Sequence, residues 1–311
     1  MSGISIIKIK EDDDGIRLNR WFLREYPSLS LSHLQKLLRT KQIKVDGKRA
    51  ETSTRLLKGQ ELRLPPLDEQ KAQKKENFIK KDDVLLIQNM VIYEDNDIIV
   101  LNKPSGLAVQ GGTNQSKHID GLLDALKSDG QERPKLTHRI DKDTSGILVL
   151  GKNRKSTLAL TEAFRTHKIK KTYLALCAGC AKSNEGQIKA PLEKIGEKMV
   201  VVEDGQKAVT NYRILDNIGQ KFCLVEAEPL TGRTHQIRVH LAHIGLPIVG
   251  DTKYGRREDA KKANLSLKLH LHSYKIDLSD VLNKKTVVKA KIPDYFMADI
   301  KSLGFNFKEK Y

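Results

Sequence analysis

The sequence predicts an α+β protein in two folded parts joined by a linker, on three observations. Residues 1–65 carry apolar positions at helical spacing, followed by a short hairpin pattern. Residues 66–83, PLDEQKAQKKENFIKKDD, are dense in charge and almost without apolar side chains. Residues 84–311 alternate short β-rich runs with a few helical stretches, the pattern of a mixed, mostly antiparallel β-sheet flanked by helices.

In the first part, Leu18, Trp21, Phe22 and Tyr26 recur at helical spacing. Leu34, Leu37 and Leu38 do so again, with Ser30 or Ser32 placed to cap the second helix. IKVDGKRA then reads as a hairpin: Ile43 and Val45 alternate, and Asp46-Gly47 supplies the positive-φ turn. The composition of 66–83 cannot bury enough surface to fold alone, which predicts a flexible connection. Beyond it, VIYEDNDIIVLNK, ILVLGK, TYLALCAG, KMVVV, FCLVEAEPL, LKLHLHSYKIDLS and TVVKAKIP are strand candidates. Residues 154–166 read as a helix with Leu158, Leu160 and Phe164 on its apolar face. Residues 234–244 read as another, capped by Thr234 and ended by Gly245.

The balance of 56 Lys+Arg against 39 Asp+Glu gives a net charge of +17, the footprint of a polyanion partner, nucleic acid foremost. A membrane partner fits poorly, because the longest apolar runs, VLLI, DIIVL and ILVL, are far too short for a span. The start, MSGISIIKIKEDDDG, lacks the pattern of a secretory signal, and 3 cysteines are too few for a disulfide framework, so the expected compartment is the cytoplasm. Cys177 and Cys180 have C-x-x-C spacing, but no second such pair exists and the stretch fits a strand end better than a zinc site.

Two stretches carry the chemistry. HRIDKDTSGILVLGK, residues 138–152, sets a knot of charge directly before a strand that wants burial, which holds the charges at the end of a rigid element. Asp141 and Asp143 share a face in extended backbone, which invites a glycoside hydrolase, yet neighbours on one strand rarely reach both sides of a scissile bond. EPLTGRTHQIRVHLAHIGLPIVGDTKYG, residues 228–255, places Arg238 one helical turn past His235. An internal arginine needs a carboxylate, and Asp141 is the candidate. The spacing of His235, His240 and His243 does not suit a metal, and no metal is expected.

The first part resembles the S4 RNA-binding domain through RLNRWF, SLSHLQKLLRTKQIKVDGKRA and LLKGQELRL. Arg17, Arg20, His33, Lys36, Arg39, Lys41 and Lys44 are then the expected RNA contacts, against the plainer reading of a solvated basic face. The second part resembles the RluA-type family of pseudouridine synthases: HRIDKDTSG, IIVLNKPSGLAVQGG, KKTYLAL, LTGRTHQIRVHLAHIGLPIVGD and LHLHSYKI fall in the family's order. Ile140 and Leu246 depart from its usual residues.

That resemblance implies isomerisation of uridine to pseudouridine in RNA, with no cofactor. Asp141 would stand beside C1′ as nucleophile or as base on C2′, Tyr173 would stack on uracil and help remove the C5 proton, and Arg238 would keep Asp141 ionised. Arg139 would fill the space left by the flipped base. His138 would orient the loop, Asn102 and Lys103 would frame the pocket or hold phosphate, and Thr231, Gly232 and Arg233 would contact substrate. Asp143 would support the loop from behind. The paired glycines of NKPSGLAVQGG point to the branch acting on bacterial 23S ribosomal RNA, a partner met during large-subunit assembly, with the enzyme a monomer. The alternatives are a synthase acting on tRNA and a non-catalytic RNA-binding assembly factor.

Overall fold

The Asp46-Gly47 turn takes the positive φ values its residues suit, 48° and 72°, and closes an antiparallel pairing of Val45 with Lys48. The computed structural model describes residues 4–27, 29–67, 79–111, 117–128, 130–255 and 257–307. The chain divides into two units, Met1–Phe78 and Ile79–Tyr311.

The first unit runs β1 (Ser5–Lys8), α1 (Leu18–Glu25), α2 (Leu31–Arg39), β2 (Lys44–Val45), β3 (Lys48–Arg49) and β4 (Glu61–Leu64), with sheet order β1-β4-β2-β3. Leu18, Trp21 and Phe22 of α1 and Leu34, Leu37 and Leu38 of α2 share one buried core with Val45, Leu62 and Leu64. Ser30 caps α2, its hydroxyl accepting the His33 N–H at 3.1 Å. Tyr26 packs partly buried at the end of α1.

Residues 68–78, most of the expected linker, lie outside the described residues. Its last residues are not linker: the second unit starts at Ile79, and α3 (Lys81–Gln88) carries the VLLI run as a helix that buries Ile87. Asp82 and Asp83 sit in the first turn of α3, where the helix dipole favours negative charge.

The second unit continues as β5 (Val91–Glu94), β6 (Ile98–Lys103), α4 (Ile119–Leu122), β7 (Lys135–Leu136), β8 (Ser145–Gly151), α5 (Arg154–Arg165), β9 (Lys170–Ala178) and β10 (Glu185–Lys189). Then follow β11 (Leu192–Ile195), β12 (Lys198–Val201), β13 (Val209–Ile218), β14 (Phe222–Pro229), α6 (Gln236–His243), α7 (Arg257–Lys262), β15 (Leu271–Asp277), α8 (Ser279–Leu282), β16 (Val287–Lys289) and α9 (Asp294–Ser302). Ten strands of the described residues form one sheet, with main order β10-β13-β14-β9-β15-β8-β6-β5. Among the described residues, β15 with β8 is its one parallel pairing.

Alternation along the central strands divides the core between two faces. Ala175, Cys177, Cys223 and Val225 pack with Ile237 and Leu241 of α6, whereas Leu174, Leu176 and Leu224 pack with Phe296 and Ile300 of α9. Cys177 therefore serves as a buried strand residue opposite Cys223.

Two helices depart from the sequence reading. In α5, Leu160 and Phe164 pack as expected, joined by Ala163, but Leu158 is 61% exposed. Helix α6 begins after His235, which takes a left-handed φ of 52° and makes no side-chain cap, so Thr234 is not its cap. Its end matches the expectation: Gly245 turns at φ 83°, while Leu246 N–H donates to Leu241 O at 2.8 Å and Gly245 N–H to Ala242 O at 3.1 Å. Among the described residues, no helix is long and apolar enough to cross a membrane.

Candidate active site

The parallel junction of β8 with β15 brings two chain segments unusually close. Gly146 stands opposite Ser273 with φ 103°, and a Cβ on it would lie 2.2 Å from the Ser273 carbonyl oxygen. Only glycine fits. The charged loop 138–144 enters this junction, and a cavity of about 510 Å³ opens beside it, lined by Arg139, Asp141, Tyr173, Thr231, Arg233 and Arg238, among others. The sequence-derived residues Asp141, Tyr173 and Arg238, nearly a hundred positions apart at the extremes, thus meet in one space.

The loop is clamped from behind. Lys103 is fully buried, and its Nζ donates to the carbonyls of Pro104 at 2.9 Å, Leu107 at 2.8 Å and Lys142 at 2.8 Å. Burial draws its pKa down to about 7, with Asp143 and Asp141 opposing. All three ammonium hydrogens are committed to backbone, so Lys103 braces the loop and does not hold phosphate. Asn102 turns elsewhere: its Nδ2 donates to Lys291 O at 2.9 Å, and the residue does not line the cavity. Ser105 Oγ donates to the Asp143 carbonyl at 2.7 Å and Gly106 N–H to the Lys142 carbonyl at 2.9 Å, so the NKPSG turn and the charged loop fix each other.

His138 is fixed in the same way. Its Nε2 accepts the Val149 N–H at 2.9 Å and its ring stacks on Phe164 at 4.0 Å between centroids. Burial, reinforced by nearby Lys171, pulls its pKa down to about 3. The ring is thus neutral and held by a strand amide.

Arg238 meets Asp141 as the sequence suggested, but a second acid holds it more closely. Its principal partner is Asp251, which accepts from Nε and Nη2 at 2.7 Å each, while Asp141 Oδ2 stands 3.5 Å from Nη1. Burial alone would lower the arginine's pKa, but the Asp251 carboxylate outweighs it and raises it. The same pairing lowers Asp251 against its own burial. The guanidinium is thus locked from behind and presents one edge to Asp141. It also lies over the Tyr254 ring, 5.2 Å from the centroid. The Tyr254 hydroxyl is 2.8 Å from His235 Nδ1 and accepts the Met199 N–H at 3.0 Å, which leaves His235 Nε2 3.9 Å from Asp141 Oδ2.

Tyr173 lines the cavity from β9. Burial pushes its hydroxyl up to about 12, with the Asp141 charge adding and a hydrogen bond with Ser273 opposing. Thr231 and Arg233 are tied down by Gln236, whose Oε1 accepts from Thr231 Oγ1 at 2.6 Å and from Arg233 N–H at 3.0 Å. Arg139 is exposed at the cavity, Nη1 3.4 Å from Gln110 Oε1. Asp143 does not line the cavity. His240 is buried, its ring nitrogens 2.8 Å from Thr210 Oγ1 and 2.9 Å from Ala190 O.

Sequence reading missed Asp251, Tyr254, His235 and Gln236 as parts of this arrangement. Asp251 had a usable signal, being a carboxylate in the same motif as a helix-borne arginine 13 positions earlier. In the first unit, Arg17, Arg20, His33, Lys36, Arg39 and Lys41 are exposed and Lys44 is half-buried.

A family model described as RNA pseudouridylate synthase matches residues 97–243. A protein of Rickettsia bellii named ribosomal large subunit pseudouridine synthase C is 36% identical over 291 residues, covering 90% of this chain and 95% of that protein. A protein of the same name from Vibrio parahaemolyticus is 36% identical over 281 residues, covering 88% of each. Among solved structures, human RNA pseudouridylate synthase domain containing 4 superposes with a TM-score of 0.61 at 28% identity, over 71% of this chain and 97% of that one. With relatives of this identity matched over nearly their whole length, the chain belongs to the RNA pseudouridylate synthase family, in its RluA type.

Proposed function

We propose that this protein isomerises specific uridines to pseudouridine in large-subunit ribosomal RNA, with Asp141 as the catalytic carboxylate. The observation that carries the reading is the Asp141 carboxylate itself. It is 27% exposed, lines the cavity and stands 3.5 Å from an arginine fixed by another acid. A carboxylate so placed faces a fixed cation on one side and keeps an open side for C1′ or the C2′ hydrogen of a ribose. Tyr173 offers a ring for the uracil and a neutral hydroxyl for the C5 proton, and Arg139 is free to take the place of the flipped base. The ribosomal substrate is supported by the names of the relatives.

The first unit acts as an S4-type RNA-binding domain in this reading, supported by its two helices, its hairpin and the exposed cations of α1 and α2. The protein works as a cytoplasmic monomer on assembling large subunits, consistent with its charge and its free cysteines.

The test is to incubate the protein and Asp141→Asn with unmodified 23S ribosomal RNA transcript and map carbodiimide-dependent reverse-transcription stops. New stops with wild type alone support the assignment. Stops with both sink the role of Asp141. Stops with neither, repeated on tRNA and on precursor particles, leave a non-catalytic RNA-binding factor as the better account.

A further inference from the structure

One side of the cavity carries positive charge that the reaction does not use. Lys171 lies on β9 two residues before Tyr173, so both side chains leave the same face of the strand and line the same cavity. Lys171 is half-buried, and burial alone lowers its pKa, with no carboxylate opposing. The acids at this site are engaged elsewhere: Asp141 and Asp251 face Arg238 and His235. Among the described residues, neither Lys171 nor Arg233 forms an ion pair.

Arg233 lines the cavity too, with Nε donating to Lys207 O at 3.2 Å. His167 completes the group from the turn after α5. Its ring carbon would lie 3.7 Å from a Cβ on Gly232, next to Arg233. Its pKa is lowered by burial and then by the charges of Lys171 and Arg233, so the three groups sit within electrostatic reach of one another. His167 holds a left-handed φ of 57°, a conformation uncommon outside glycine. Desolvating a cation without an anionic partner is unfavourable, and like charges gathered together add to that. Such an arrangement is stabilised when an anion arrives.

We propose that Lys171, Arg233 and His167 form a phosphodiester subsite that grips the RNA backbone beside the nucleotide whose base enters the cavity. The inference rests on the proposed function for the identity of the anion. It adds a second hold on the strand to whatever the first unit contributes. A phosphodiester suits the site because a lysine, an arginine and a histidine offer several donors around one tetrahedral anion.

The experiment is equilibrium binding of a short single-stranded oligouridylate to the full-length protein across a salt series, for wild type, Lys171→Met, Lys171→Arg and Arg233→Gln. Binding needs no turnover, so its outcome is separate from that of the pseudouridine assay. Lys171→Met and Arg233→Gln should each weaken binding roughly tenfold and flatten the salt slope by about 0.7, one phosphate contact on a single strand. Lys171→Arg should restore most of the affinity. Lys171→Met should also raise the melting temperature by roughly 2–4 °C, because it removes an unpaired, desolvated charge from the free protein. Affinity within twofold of wild type with an unchanged salt slope in both variants would overturn the subsite. So would a lowered melting temperature for Lys171→Met, which would mark the residue as a structural prop. Weakened binding of uridine 5′-monophosphate without any loss for the oligouridylate would also overturn it, since the site would then take a terminal phosphate.

Discussion

Arg238 is gripped by Asp251 through two hydrogen bonds of 2.7 Å, and Asp141 meets the same guanidinium at 3.5 Å. The two acids around one arginine therefore have different work. Asp251, with a side chain 0% exposed, is a structural counter-ion, while Asp141 at 27% keeps an open side toward the cavity.

The two acids should separate in mutagenesis. Asp251→Asn leaves a buried arginine without its main partner and is expected to lose about 3–5 kcal/mol of unfolding free energy. Asp141→Asn should lose less than about 1 kcal/mol while abolishing product formation. Urea unfolding of both variants, followed at one pH, measures the difference. Equal destabilisation by the two would mean that Asp141 is part of the buried pair.

Gly146 should tolerate no side chain. Its φ of 103° and the mere 2.2 Å that would separate an added Cβ from Ser273 O both act against alanine. Gly146→Ala should lose at least about 3 kcal/mol or fail to fold, since relief requires separating the parallel pairing of β8 with β15. A variant with near wild-type melting temperature would show that β8 and β15 part more easily than their contact suggests.

Acid should destabilise the second unit through its histidines. Burial pulls His138 down to about 3 and His272 to about 4, and lowers His240 and His270 in the same direction. An unfolded histidine titrates near ~6.5, so the unfolded chain binds these protons first. The stability they contribute is full above roughly pH 6.5 and is lost as pH falls toward the folded values. His138 and His272 together give a slope of about 3 kcal/mol per pH unit between roughly pH 6 and 4. Urea unfolding across that range should show a shallower slope in His272→Asn. An unchanged slope in that variant would mean His272 keeps its proton on folding.

What could be read from the sequence follows from what local pattern encodes. The buried runs of β8, β9 and β14 were visible because burial on both faces writes a continuous apolar stretch. Strand β13, VTNYRILDNI, is the longest of the sheet at 10 residues and was missed, since most of it is only half-buried and its residues are mixed. Asp141, Tyr173 and Arg238 were singled out through motif resemblance, and Asp251 stood in the same motif as Arg238, but spacing alone does not rank the two acids as partners of the arginine. The burial of Lys103 was hidden for a related reason. A lysine after a strand looks like a surface cation, and only the surrounding carbonyls of Pro104, Leu107 and Lys142 reveal a buried one. His235 carried no cue to its left-handed backbone.

Tyr173 divides into two parts that two substitutions can separate. Its hydroxyl, pushed up to about 12 chiefly by burial, stays protonated at any working pH, so it exchanges a proton only through a hydrogen bond in the reaction itself. Tyr173→Phe keeps the ring that would stack on uracil and removes that group. Single-turnover product formation should fall by about 10²–10⁴-fold, with RNA affinity within about twofold of wild type. Tyr173→Ala should lose affinity as well, by roughly 5–100-fold, the worth of one stacked base. If the phenylalanine variant turns over at the wild-type rate, the proton leaves C5 by another route, and the residue's contribution reduces to its aromatic face.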